Sequence, residues 1–425
     1  MENLNKAARP AGRPKRWALI TLAAAFLVAA GILAAVQPGF KAAAQPPKTY
    51  EALRLLTDAF YEINTKYVKP KAEQEMVYGA LRGMAASLDP DSSFLTPPEY
   101  RNWQAGPRAS EAEAGMDLVV KDTLITALGV LEGGPAWKAG LRPGDHILKI
   151  NGKPAHDLST LQAMERFRGL AGTQIKLQVI RNNMIKPMDL TVTLGPLAVK
   201  SVSHQILPED YAYIRIHYFD RHTAGALKAL LRDLRQRTPP PKGIVLDLRN
   251  NARGAMDQAI QVGALFLGPK VVVRTKGRKP EGEQTLSGRA GQQVFARPVP
   301  MVVLVNDNTA RAAEILAGAL KDHQQGILLG AKTYGLAGVT RPFPLDDGSA
   351  LVITVAHCYT PGGHKITGKG LEPEAAGEKA KAPETPAQPS AQPPAEPPSL
   401  EQDPWVKQAM EILKGGRPKS PARKS

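Results

Sequence analysis

Cysteine is almost missing from this 425-residue chain: Cys358 stands alone, so neither an internal disulfide nor a cysteine-based metal cluster can form. It lies in the apolar run "LVITVAHCYT" and reads as a small buried hydrophobe. The eight histidines contain no His-Glu-x-x-His pair and no carboxylate cluster has ligand spacing, so neither a metal nor another cofactor is expected. Zinc-ligand spacing and basic-aromatic interleaving are absent too, and nucleic acid is not expected as a partner despite a net charge of +16. Much of that excess sits in the tails, between Lys6 and Arg16 and between Lys414 and Lys424. From Gly288 to Gly348 there is neither a serine nor a cysteine, which removes the side chains most often used as acyl-transfer nucleophiles from that whole stretch.

What is present is enough for several domains, with 43% hydrophobic residues to fill their cores. A basic tail, 1–16, precedes an uncharged segment, 17–36, long enough to span a bilayer core. Positive charge on its N-terminal side keeps that end cytoplasmic, so the expectation is a single-pass anchor in a bacterial inner membrane with the bulk of the chain in the periplasm. Small residues at Ala42 to Ala44 leave the alternative of a cleaved signal segment and secretion to the periplasm. Residues 45–110 form an N-terminal helical region. Its apolar residues recur at helical spacing, Leu53, Leu56, Phe60, Ile63 and Tyr67, then Met76, Leu81, Met84 and Leu88, and predict two packed amphipathic helices. The turn "LDPDSSFLTPPEY" ends them.

In region 111–196 short β-type runs, "LITALGV", "HILKING" and "IKLQVIR", alternate with glycine-bearing turns, and one helical segment spans Leu158 to Phe167. The line "GGPAWKAGLRPGDHILKINGKPA" resembles the PDZ domain, a small β-barrel or sandwich with helices. That resemblance implies capture of a peptide as an added strand, its terminal carboxylate held by backbone N–H groups. The corresponding loop is "EAGMDLVV", which makes Gly115, Met116, Asp117, Leu118 and Val119 the candidate peptide-binding residues; a PDZ-shaped spacer without ligand is the other reading. Region 197–375 alternates strands such as "GIVLDLRNN", "MVVLV" and "GILLG" with helices such as "AMDQAIQVGALFL", which predicts an α/β core. Residues 376–400 are a proline-rich linker that cannot bury enough surface to fold, and 401–425 hold a short helix and a basic tail.

Together these pieces resemble the carboxyl-terminal processing proteases. "LRLLTDAFYEINTKYV" and "GMAASLDPDSSFLTPPEY" are similar to the family's N-terminal helices, "GIVLDLRNNARG" to its Leu-Asp-Leu-Arg-Asn-Asn-Pro-Gly-Gly turn, and "YTPGGHKITGKGLEPE" to its closing segment. The resemblance implies an α/β multidomain fold with a ClpP/crotonase-like protease core, and serine-type endopeptidase chemistry with a lysine general base. Such a lysine must be desolvated and neutral to accept the serine proton. Aligned on Val305, Asn306, Glu314 and Ile315, the family's serine falls on Arg311. Aligned on Lys332, Thr333 and Gly335, its lysine falls on Leu336, and a supporting glutamine falls on Thr340. The oxyanion turn reads Arg253-Gly254 instead of Gly-Gly.

Arginine offers donors but no attacking atom, and leucine cannot accept a proton. No catalytic residue of the family is therefore intact. The expectation is a pseudoprotease that binds protein or peptide C-termini, an active relative or its substrates; the alternative is an active carboxyl-terminal serine-type endopeptidase. A relocated Thr309–Lys332 pair and the bases His323 and His357 are the remaining catalytic candidates. Arg311 and Arg253 would offer a peptide carboxylate charge-assisted bonds, unless Arg311 turns to solvent or pairs with Glu314.

Overall fold

The computed structural model describes residues 48–106, 112–121, 124–156, 158–181, 184–278, 283–377 and 399–415. The segment 17–36, the alanines 42–44, most of the proline-rich tract and both basic tails lie outside them. Among the described residues no helix is long and apolar enough to cross a membrane. The chain divides into two compact units between Met76 and Val77. Helix α1 is Lys48–Lys66 and α2 is Glu73–Ala86. The helical period holds; Leu53, Leu56, Ile63, Tyr67, Met84 and Leu88 are exposed, and Phe60, Met76 and Leu81 are half-buried. Periodicity reports which residues share a face, not whether that face is covered.

The second unit takes in most of α2 and everything after it. Strand β1 (Ser93–Leu95) and helix α3 (Pro97–Ala105) lead into an antiparallel sheet. Its strands are β2 (Met116–Lys121), β3 (Leu124–Val130), β4 (His146–Ile150), β5 (Gln174–Ile180) and β6 (Met188–Thr193), hydrogen-bonded in that order. Helix α4 (Thr160–Glu165) closes one side of β2. It starts where it does because Ser159 and Gln162 form a reciprocal capping box, Oγ accepting from the Gln162 N–H and Oε1 from the Ser159 N–H. Leu118, Ile125, Ile147, Leu177 and Val179 point inward from the strands and, with Leu141 from a connecting turn, make this domain's core, as a sheet with one buried face requires.

The α/β core is organised on a six-stranded sheet. Strands β7 (Val202–Leu207) and β8 (Tyr211–Ile216) pair antiparallel, and helix α5 (Thr223–Gln236) follows, burying Leu227, Leu231 and Leu234. Then come β9 (Gly243–Asp247), helix α6 (Met256–Leu267), and β10 (Val271–Gly277) with β11 (Gln284–Ser287), which belong to another sheet. Strand β12 (Met301–Val305), helix α7 (Ala312–Asp322) and β13 (Ile327–Gly330) return to the first. Strands β14 (Gly338–Pro344) and β15 (Ala350–Tyr359) join β1, β10 and β11, and β16 (Ala375–Ala376) edges the core sheet. From β8 to β16 the core sheet is parallel, in the order β8-β9-β12-β13-β16. Such strands are covered on both faces, which explains why "MVVLV" is apolar without alternation and fully buried.

Helix α8 (Pro404–Leu413), the predicted closing helix, buries Val406, Ala409 and Ile412 against Val245, Val302 and Leu304. Asp403 caps it by accepting from the Trp405 and Val406 N–H groups and also pairs with Arg249 at the end of β9, 2.7 Å away. Cys358 is buried in the core, and burial pushes its thiol up to about 12, matching its reading as an inert hydrophobe.

Candidate functional site

Strands β9, β12 and β13 are parallel neighbours, so the loops that leave their carboxyl ends emerge side by side, the usual place for a site in a parallel sheet. These loops are 248–254, 306–311 and 331–336, and they contain the positions picked out by sequence. Asparagine and threonine side chains lock them together. The Asn306 carboxamide oxygen accepts from the Asn250 N–H at 2.9 Å, and its nitrogen donates to Asn250 Oδ1 at 2.8 Å. Thr309 is fully buried and donates its hydroxyl to the Leu248 carbonyl at 2.9 Å. A buried hydroxyl already holding three groups is structural, and Lys332 is ion-paired with Glu372 at 2.7 Å. His323 Nε2 meets the Val271 carbonyl at 2.7 Å, and His357 is exposed on β15. None of the substitute catalytic candidates has a nucleophile–base geometry.

Arg311 begins α7 with φ 56° and ψ −120°. An L-residue held there is strained by about 1–3 kcal/mol, and such strain concentrates at sites that present a side chain. It is maintained by its neighbours: Ala310 N–H donates to the Asn251 carbonyl at 2.9 Å, and the Arg311 N–H donates to Glu314 Oε2 at 3.2 Å. The same Glu314 carboxylate accepts from the Gly335 N–H at 2.7 Å, the Leu336 N–H at 2.9 Å and the Thr333 hydroxyl. One buried carboxylate thus holds the backbone at both 311 and 336, positions twenty-five residues apart in sequence. Its burial pushes the carboxyl up to about 7, against the pull of these donors.

The side chains at the two positions diverge. The Arg311 guanidinium donates to Asp91 Oδ1 at 2.7 Å, so it neither turns to solvent nor pairs side chain to side chain with Glu314. Leu336 packs with Ala252, Ala310, Val119 and Leu128, the last two from the PDZ sheet. Arg253 is held by Asp117 at 2.9 Å, by Glu113 at 2.9 Å and by the Met116 carbonyl at 3.1 Å. Burial works against its charge, and the facing Asp117 and Glu113 more than offset that, holding it protonated. Its φ is not positive; the turn's positive-φ residues are Asn250, φ 57°, and Gly254, φ 131°, where a Cβ would meet Phe219. Arginine therefore meets no backbone conflict at this position. The expected free arginines for a peptide carboxylate are corrected likewise: both already hold acids of this chain.

The PDZ sheet covers the loops. Gly129 approaches the Asn250 carbonyl so closely that a Cβ would stand 3.1 Å from it, and Glu132 takes a bidentate pair of bonds from Arg215 at 2.8 and 2.9 Å. Among the five predicted peptide-binding residues, Asp117 and Leu118 line a cleft of ≈ 630 Å³ that also reaches Arg311, Gly254 and Thr340. Val119 points the other way, onto Leu336, while Gly115 and Met116 are not in the cleft. The loop N–H groups of Glu113 and Ala114 are taken by the Gly195 and Phe167 carbonyls. The described residues lining the cleft include no serine, cysteine, lysine or histidine. Sequence reasoning missed Asp91, Glu113 and Glu132; the acidic turn "LDPDSS" was visible, but nothing local ties it to residue 311.

Known proteins accord with this architecture. The profile of Peptidase family S41 matches residues 210–376, and a PDZ profile matches residues 126–181. A carboxy-terminal-processing protease of Bartonella bacilliformis is 33% identical over 333 residues, 78% of this chain and 76% of its own. The carboxy-terminal processing protease CtpA of Bacillus subtilis is 31% identical over 360 residues, covering 84% and 75%. The solved photosystem II D1 C-terminal processing protease superposes with a TM-score of 0.63 at 26% identity, over 76% of this chain and 92% of that one. With relatives above 30% identity over more than three quarters of its length, the chain belongs to peptidase family S41, among the carboxy-terminal-processing proteases.

Proposed function

We propose that this member of the family is catalytically silent and works by holding protein or peptide segments, as a scaffold or as a regulator of an active relative and its substrates. The observation that carries the reading is the pair Arg311 and Leu336: the backbone of a presenting turn is kept, while the side chains there offer no attacking atom and no proton acceptor. Residues 17–36 would anchor it in a bacterial inner membrane with the folded part in the periplasm, a reading supported by their length and basic flank. Covalent labelling by a fluorophosphonate probe and degradation of an unfolded substrate test silence; both are expected at background.

Family membership alone supports the second reading, an active carboxyl-terminal serine-type endopeptidase. Probe labelling at a residue of this chain, lost on its substitution, would establish that reading and end the first. Protease accessibility of the folded part in intact spheroplasts, against the N-terminal tail, tests the topology.

A further inference from the structure

The ligand's chemistry can be drawn from how the cleft's charges are already used. Resting on the peptide-holding reading, we infer that the cleft takes an extended segment through a bulky apolar side chain and does not read a free C-terminal carboxylate. Every charged side chain lining it is paired within the chain: Arg311 with Asp91, Arg168 with Glu165, and Arg253 with Glu113 and Asp117. Four acids against three arginines leave the cleft one charge negative. A terminal carboxylate seeking a cation here would have to break one of these pairs and strand an acid of the chain in a partly buried place.

The backbone is committed as well. Residues of β2 alternate between the two edges of the strand, so Met116, Leu118 and Val120 share the edge that faces α4. At one end the Val120 N–H donates to Thr160 Oγ1 at 3.1 Å, whose own hydroxyl donates to the Pro90 carbonyl at 2.7 Å. At the other end the Met116 carbonyl accepts from Arg253. Only the Leu118 position lies between these two caps, too little edge for strand addition to supply the binding energy. Apolar burial supplies it instead, against Leu161, Met164 and Trp103, which line the cleft and are half-buried. Internal segments of unfolded or unassembled proteins meet this description; acidic termini do not.

The test uses the full chain and overlapping peptides spanning the sequence of α-lactalbumin, each synthesised on cellulose in two formats, one with a free C-terminus and one tethered through it. Apolar peptides are expected to retain the chain equally in both formats, and Met164→Asp, checked for folding by its circular dichroism, to lose them in both. Glu113→Gln with Asp117→Asn releases Arg253 and is expected to shift retention toward the free-carboxylate format by about tenfold, the worth of one charge-assisted contact. Retention by the parent only in the free-carboxylate format overturns the inference and leaves the peptide-holding reading standing. Retention in neither format brings down that reading itself. The comparison of formats needs no variant, so a misfolded Met164→Asp does not blunt it.

Discussion

Arg311 and Leu336 hang from the same carboxylate, yet one lies in a cleft held by an ion pair and the other is sealed under the PDZ sheet among apolar side chains. The contrast shows that two positions held by one carboxylate can meet quite different surroundings. At a strained turn the backbone is dictated by its surroundings, so the side chain can change freely provided that its charge finds a partner, and Asp91 supplies it. At 336 the side chain has become part of an interdomain contact with Val119 and Leu128. A lysine there would place an ammonium group against hydrocarbon, the very desolvation that a neutral general base requires.

The largest effect should come from rebuilding both positions. Arg311→Ser alone is expected to leave fluorophosphonate labelling at background, and adding Leu336→Lys to raise it by about a hundredfold or more, the usual contribution of a positioned general base. Equal labelling of the single and double variants would show that the two positions do not work as a unit.

Stability sharpens the same contrast. Leu336→Ala should destabilise the fold by roughly 2–4 kcal/mol in chemical denaturation, since it opens a cavity between two packed surfaces. Arg311→Ala should lower stability by only about 1 kcal/mol, because its ion pair is partly solvated. A reversed order would mean that the cleft, not the apolar patch, holds the PDZ domain down.

Glu314 makes the next prediction. Its native pKa of about 7 lies above the ordinary 4.5, so the folded state binds the proton more tightly than the unfolded chain does. Its contribution to stability is therefore fully present below about pH 4.5 and is lost as pH rises through 7. Denaturation midpoints measured across that window should fall with rising pH in the parent by more than in Glu314→Gln. The smallest effect is expected for Arg311→Gly, where relief of the positive φ offsets the lost pair and stability stays within about 1 kcal/mol of the parent.

Much of this protein is legible in linear order. The parallel strands announce themselves as apolar runs, α5 through Leu227, Leu231 and Leu234, and the PDZ unit through its glycine-bearing turns, because each signal is local. Arg311, Leu336, Thr340 and Arg253 could likewise be singled out by spacing, and three of them, Arg311, Thr340 and Arg253, do line one cleft. On α1 the signal is weaker for the opposite reason: helical spacing groups Leu53, Leu56 and Ile63 without saying what meets them.

The sequence by itself determined which atoms are available: no serine or cysteine from 288 to 348, a guanidinium at 311, an isobutyl group at 336. Tertiary structure alone decided what those atoms touch. Arg311 reaches Asp91 across 220 residues of chain, Arg253 reaches Asp117 across 136, and Glu314 ties two loops at once. Charge pairing in a folded protein depends on distance through space and on burial, and neither quantity is written in the order of the residues.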